Sequence, residues 1–169
     1  MTTKWKNIGK TLEGLKMTIP NWALVDVSKN FKAGEFLPPD AEEILKTDPS
    51  KWLLGSNGVW LRRVAQTLRN EFGPITINNW IFGGNRVASG LRLPSGVSNI
   101  GLKGSRHRLG LAIDAIPAKY TVAEVQQDLE KRQNFWLRAG VVRYEKTKNG
   151  EPISWVHVDG GKTVYGFNA

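Results

Sequence analysis

The residue that most restricts how this chain can fold is Asp114, which sits in an apolar run from Leu109 to Ile116 with no other charge. Burying an unpaired carboxylate is costly or forces it to neutralise, so the segment can enter a core only if Asp114 has a partner. Ala112, Asp114 and Ile116 alternate with Leu111, Ile113 and Ala115, which predicts a strand over 111–116. Small Ala112 beside the carboxylate leaves room there for an ion. The chain's two histidines lie in comparable settings, His107 in S-R-H-R-L-G-L-A-I-D and His157 in I-S-W-V-H-V-D. Two neutral imidazoles and one carboxylate make a three-ligand zinc set whose fourth position stays open to water, the pattern of a hydrolytic site. Against this stands the plainer reading that both histidines are satisfied core residues.

The remaining composition narrows the choice. With 169 residues and 40% hydrophobic content including seven tryptophans, the chain is long enough for one domain with a sizeable core. It has no cysteine, so any transition-metal site must use histidine and carboxylate ligands. The N-terminal M-T-T-K-W-K-N-I-G-K lacks the apolar core of a signal peptide, and no run approaches the ~20 apolar residues of a membrane span. The expectation is a protein made soluble inside a cell, without membrane insertion. Net charge is +9, from 24 Lys and Arg against 15 Asp and Glu, which favours polyanionic partners: nucleic acid, an anionic cell envelope or an acidic peptide. No acidic residue occurs from Phe72 to Ile113, whereas Arg86, Arg92, Lys103, Arg106 and Arg108 all do. Nothing resembles a nucleic-acid motif, and the aromatic residues fall mostly at helical core spacing rather than on a stacking platform, so no specific nucleic-acid partner is expected.

Along the chain, residues 1–35 read as an irregular lead-in. Pro38-Pro39-Asp40 predicts a helix N-cap, with a short helix over Ala41 to Lys46 closed by Asp48-Pro49. Asn57 caps a longer helix in which Trp60, Leu61, Val64, Ala65, Leu68 and Phe72 recur at helical spacing, and Gly73-Pro74 ends it before a strand in I-T-I-N-N. From Phe82 to Gly104 the chain holds six of its eighteen glycines, too many for a regular element. Loops this long inside a compact domain are usually functional or disordered, and Trp80, Phe82 and two arginines at its near end favour a substrate-binding loop. Thr121 and Glu124 form a capping box for a helix carrying Val122, Val125, Leu129 and Trp136 to Gly140. Two strands, Val141 to Tyr144 and Ile153 to Val158, follow around Asn149-Gly150.

Ser105, His107, Gly110, Ala112 and Asp114 fit S-x-H-x-x-G-x-A-x-D, and with the later W-V-H-V-D they resemble the zinc-dependent murein peptidases, a family that includes D-alanyl-D-alanine carboxypeptidases, dipeptidases and phage endolysins. K-N-F-K-A-G-E-F and L-R-N-E-F-G-P-I-T-I-N are similar to the family's upstream segments, so the resemblance spans about Ser28 to Asp159. It implies an α+β domain, a small antiparallel sheet with packed helices and zinc in the cleft, on the scaffold shared with hedgehog-type signalling domains. It also implies zinc held by His107, Asp114 and His157, in agreement with the ligand set read from the residues alone.

The implied activity is metal-assisted amide hydrolysis of peptidoglycan stem or cross-bridge peptides. Zinc lowers the pKa of its water toward ~7 and polarises the carbonyl, while a nearby carboxylate moves the proton. The family's arginine-bearing G-Y-R-S segment is absent, so Arg86 or Arg92 is expected to reach the substrate carboxylate from the long loop, with Ser105 also at the substrate. Many relatives carry the acid three residues before the second histidine, where this chain has Ser154. The remaining candidates are Glu151 as general base and Asp159 as its support. The resemblance points to a monomeric phage endolysin or virion-associated murein hydrolase, held in the host cytoplasm until release and acting at the cell wall. The alternative is a catalytically inactive zinc module serving as a basic binding or structural protein.

Overall fold

The computed structural model describes residues 18–100, 103–148 and 150–160. Residues 1–17 of the lead-in, Gly101 and Leu102 of the long loop and Asn149 of the hairpin lie outside them. The architecture is mixed α+β. A 3-10 turn over Asn21–Leu24 leads into a two-stranded ribbon, β1 (Asp26–Ser28) and β2 (Phe31–Lys32), followed by α1 (Ala41–Leu45), α2 (Pro49–Leu54) and α3 (Val59–Phe72). Next come β3 (Ile75–Thr76), the long loop, β4 (Ala112–Pro117), α4 (Val122–Lys131), α5 (Gln133–Ala139), β5 (Arg143–Lys148) and β6 (Glu151–Asp159). The main sheet is antiparallel in the order β3-β4-β6-β5, with a hairpin joining β5 to β6.

Helix α3 anchors the core, because its helical-period residues Leu61, Val64, Ala65, Leu68 and Phe72 are all buried. Against them pack Ile113, Ala115, Val156 and Val158 from one face of the sheet, and Leu129 and Trp136 from α4 and α5, in one continuous apolar cluster. Phe72 stacks on Trp136 with ring centroids 5.7 Å apart. Fully burying a side chain of this size contributes roughly 1.5–3 kcal/mol, so this cluster holds the sheet on its helices. The sheet's other face is thereby left for polar residues.

Several local expectations change in the tertiary setting. The ribbon and turns of residues 18–35 are more ordered than a lead-in, because Trp22, Ala23, Val27, Phe31 and Ala33 are buried in the same core. Asp40 does not cap α1: its Oδ2 accepts a hydrogen bond from Val97 N at 2.8 Å and so ties down the long loop. Asp48-Pro49 opens α2 instead of merely closing α1, with Asp48 accepting from Ser50 N and Pro49 at the first helical position. The start of α3 is a 3-10 turn over Ser56–Gly58 without a side-chain cap from Asn57. The Thr121–Glu124 capping box is present, but the helix it begins breaks at Arg132. Arg132 grips Asp128 through Nε and Nη2 and reaches Glu71 on α3 at 2.8 Å, a tertiary bond that no helical periodicity encodes.

Candidate metal centre

The polar face of the main sheet carries two cross-strand rows. Directly opposed residues of antiparallel strands project to the same side, with Cβ atoms ~4.5–5.5 Å apart. The β4–β6 register sets Asp114 opposite His157 and Ala112 opposite Asp159, and the β5–β6 register sets Glu145 opposite His157 and Arg143 opposite Asp159. One row is therefore Asp114, His157, Glu145, and the next is Ala112, Asp159, Arg143. Tyr144 and Lys146 point the other way, where both meet Glu130 of α4.

His107 comes to this face from a 3-10 turn over Arg106–Leu109 that Gly110 closes with φ +66°, a left-handed conformation that suits glycine. The long loop holds the turn in place. Gly90 O accepts a hydrogen bond from His107 Nδ1 at 2.8 Å, Arg92 N donates to His107 O at 3.1 Å, and Asp114 N donates to Ser89 O at 2.8 Å. A Cβ at Gly90 would stand 2.3 Å from Phe36 O, so the close approach that brings this carbonyl to the histidine requires glycine. With Nδ1 occupied, His107 Nε2 carries the lone pair, and it is buried without a hydrogen-bond partner among the described residues.

That orphaned nitrogen faces the other two groups. It lies 3.3 Å from Asp114 Oδ2 without hydrogen-bond alignment, while Asp114 Oδ1 meets His157 Nδ1 at 2.6 Å. One ligand atom from each of His107, Asp114 and His157 lies within 4.8 Å of the others, and all three residues are buried. This group could hold a metal ion. Arg92 Nη2 pairs with Asp114 Oδ2 at 2.9 Å. Burial alone would raise the Asp114 carboxyl, but the close approach of His107 and the hydrogen bond with His157 hold it well below the usual carboxylate range. Burial works against charge on His157, yet Asp114 and Asp159 outweigh it and push the imidazole up to about 9. A cluster that gathers two imidazoles around an ionised carboxylate has the donor chemistry of a divalent-cation site.

The three residues form part of the wall of a cleft of about 630 Å³, together with Arg92, Ser105, Arg106, Arg143, Glu145 and Trp155. Of the sequence-derived candidates, Arg92 and Ser105 line it. Arg86 does not: its Nε donates to Ile77 O at 3.0 Å and its Nη2 to Asp114 O at 3.2 Å, so it braces the backbone behind the cluster. Asp159 is 1% exposed and its Oδ2 is held by Arg143 Nε at 2.8 Å, with His157 Nε2 3.6 Å away. Glu151 is exposed at the first position of β6, paired with Lys148 beyond a register irregularity, and is not among the cleft's lining residues. Ser154 is exposed as well.

Sequence reasoning missed Glu145, Arg143 and Trp155. The alternation R-Y-E puts Arg143 and Glu145 on one face, but which face depends on the β5–β6 register. That register slips between Glu145 and Thr147, so that Glu145 opposes His157 while Thr147 opposes Pro152. A second cleft, of about 480 Å³ and lined in part by Trp22, Trp80, Asp40 and Glu43, shares no residue with the first. Among the described residues no helix is long and apolar enough to cross a membrane. In comparisons with known proteins, no family model, no curated protein and no solved structure matches the chain.

Proposed function

We propose that this protein is a zinc-dependent peptidase that hydrolyses an amide bond in peptidoglycan stem or cross-bridge peptides, in the role of a phage endolysin or virion-associated murein hydrolase. The observation that carries the reading is the convergence of one ligand atom each from His107, Asp114 and His157 in the wall of a cleft with an excess of basic side chains. The donor set fits zinc: an orphaned imidazole nitrogen with its tautomer set from behind by Gly90, an ionised carboxylate and a second imidazole braced by Asp159. When bound there, zinc supplies Lewis acidity toward a carbonyl oxygen and makes water a usable nucleophile near neutral pH.

The chain's own residues supply the rest. Arg92, Arg106 and Arg143 bring positive charge to the cleft, matching the free carboxylates of stem peptides, and Arg92 is the arginine placed beside the ligand cluster. Asp159, locked by Arg143, orients His157 from the side away from Asp114. Buried Ile113, Val156 and Val158 hold both strands, and so the ligand spacing, on a rigid core.

The test is digestion of purified sacculi with the zinc-loaded protein, followed by mass spectrometry of the released fragments. Newly cleaved peptide termini, abolished by a chelator and restored by zinc, are expected. Sacculi left intact by zinc-loaded protein would overturn the peptidase reading. In that case bound zinc with no cleavage, together with steep salt-dependent retention on a polyanion, would favour the inactive basic module. The exposed serine at position 154, where many relatives of the resembled family carry an acid, is the observation that keeps this second reading in view.

A further inference from the structure

Hydrolysis of an amide needs a group that takes a proton from water as the carbon–oxygen bond forms and delivers it to the nitrogen as the carbon–nitrogen bond breaks. Three carboxylates stand on or near the cleft face. Asp114 is committed to His157, His107 and Arg92. Asp159 is buried and gripped by two nitrogens of Arg143. Glu145 differs from both. It lies in the same cross-strand row as Asp114 and His157, lines the cleft and is half-buried.

Among the described residues, none donates a hydrogen bond to the Glu145 carboxylate or forms an ion pair with it, while its main-chain oxygen is fixed by Gln126 Nε2 at 3.0 Å. It also stands outside the group of ligand atoms that lie within 4.8 Å of one another. This is the placement of a carboxylate that serves the reacting water rather than the metal. The edge strand that carries it is pinned from the opposite face by Tyr144 and Lys146, both bonded to Glu130, so the side chain is presented from a rigid support.

We propose that Glu145 is the proton-transfer residue of this site, in place of Glu151, an inference that rests on the peptidase reading above. Glu145 takes a proton from the attacking water as its oxygen bonds to the scissile carbonyl carbon. It then gives that proton to the departing nitrogen, so the products are a carboxylic acid and an amine, which end as carboxylate and ammonium once water's second proton passes from one to the other, and no co-reactant beyond water is needed. Its place opposite His157 puts Glu145 on the wall of the same cleft, and Arg143, bonded to Asp159 in the next row, makes no ion pair with it.

The test uses zinc-loaded full-length protein and its Glu145→Gln variant, with two readouts. Glu145→Gln should keep stoichiometric zinc and its melting temperature while cleaving sacculi at least ~100-fold more slowly. It should also bind acetohydroxamate at least tenfold more weakly by calorimetry, because that probe, like the reacting water, gives a proton to a neighbouring base when it binds. The second readout needs no turnover: if wild-type protein cleaves nothing, the peptidase reading fails while the hydroxamate comparison still decides Glu145. Unchanged hydroxamate affinity in Glu145→Gln would overturn the proposal. So would loss of zinc by that variant, or loss of cleavage in Glu151→Gln with Glu145→Gln still active. Should Glu145→Gln fold poorly, Glu145→Ala with added formate replaces it, and restored cleavage is the expected result; no rescue in a folded, zinc-loaded variant counts against the assignment.

Discussion

Replacing Asp114 with asparagine keeps the side chain's shape and removes the charge on which the site's ion pairs converge. That charge faces His157 Nδ1 at 2.6 Å, Arg92 Nη2 at 2.9 Å and His107 Nε2 at 3.3 Å. The side chains of Asp114, His157 and Arg92 are only 11%, 10% and 16% exposed, so water screens these contacts little. Removing one partner of a buried pair typically costs ~3–5 kcal/mol, because the other charge stays behind unpaired. For a chain of this size each kcal/mol lowers the melting temperature by about 2–4 °C, so metal-free Asp114→Asn should melt roughly 6–20 °C below the wild type near pH 6. Adding Arg92→Met to that variant should recover part of the loss, since it removes the stranded guanidinium. The assay is thermal melting of chelator-treated protein followed by circular dichroism. A variant melting within about 1 °C of wild type would show that the cluster contributes no net stability and would refute the reasoning.

Zinc at a hundred times its dissociation constant should stabilise the wild type by ~2.7 kcal/mol, raising its melting temperature by about 5–11 °C, whereas His107→Ala and His157→Ala should show no such rise; stoichiometric zinc in either, by metal analysis, would sink the ligand assignment. The pH dependence of the metal-free protein follows from two opposite shifts. His157 is raised from 6.5 to about 9, so its contribution is complete below ~6.5 and fades as pH rises through about 9, while Asp114 is lowered from 3.8, so its contribution is present above ~4 and is lost as pH falls through its folded value. The gap in melting temperature between wild type and Asp114→Asn should therefore be widest between about pH 4 and 6.5 and narrow above about 9 to the part that the Arg92 pair contributes, and a constant gap from pH 6 to 10 would contradict the His157 pairing. Gly110→Ala forces a left-handed alanine whose Cβ lies 3.1 Å from Trp52 Cη2, costing ~1–2 kcal/mol in backbone strain and weakening zinc binding by calorimetry through the His107 turn; unchanged affinity would mean that the turn does not set the ligand.

Asp114 was legible as a residue in need of partners because one charge in an apolar strand admits few solutions, and a chain with two histidines and no cysteine leaves little choice of metal ligands. The α3 core stripe and the Thr121–Glu124 box were legible for the same kind of reason, since helical spacing and capping act within a few residues. Arg86 and Arg92 were indistinguishable as residues. Only the folded loop turns Arg86 onto the carbonyls of Ile77 and Asp114 and Arg92 onto the carboxylate. The helix break at Arg132 depends on Glu71, sixty-one positions away in the chain, and the loop from Phe82 to Gly104 became a brace for His107 through Gly90 and Arg92 and for Asp114 through Ser89. Glu145 shows the limit most clearly. Its identity and its alternation with Arg143 are local, but whether it faces the cleft is set by how β5 pairs with β6. A register slip of one residue exchanges the two faces of a strand, and the burial of Val156 and Val158 in the common apolar core is what selects among registers.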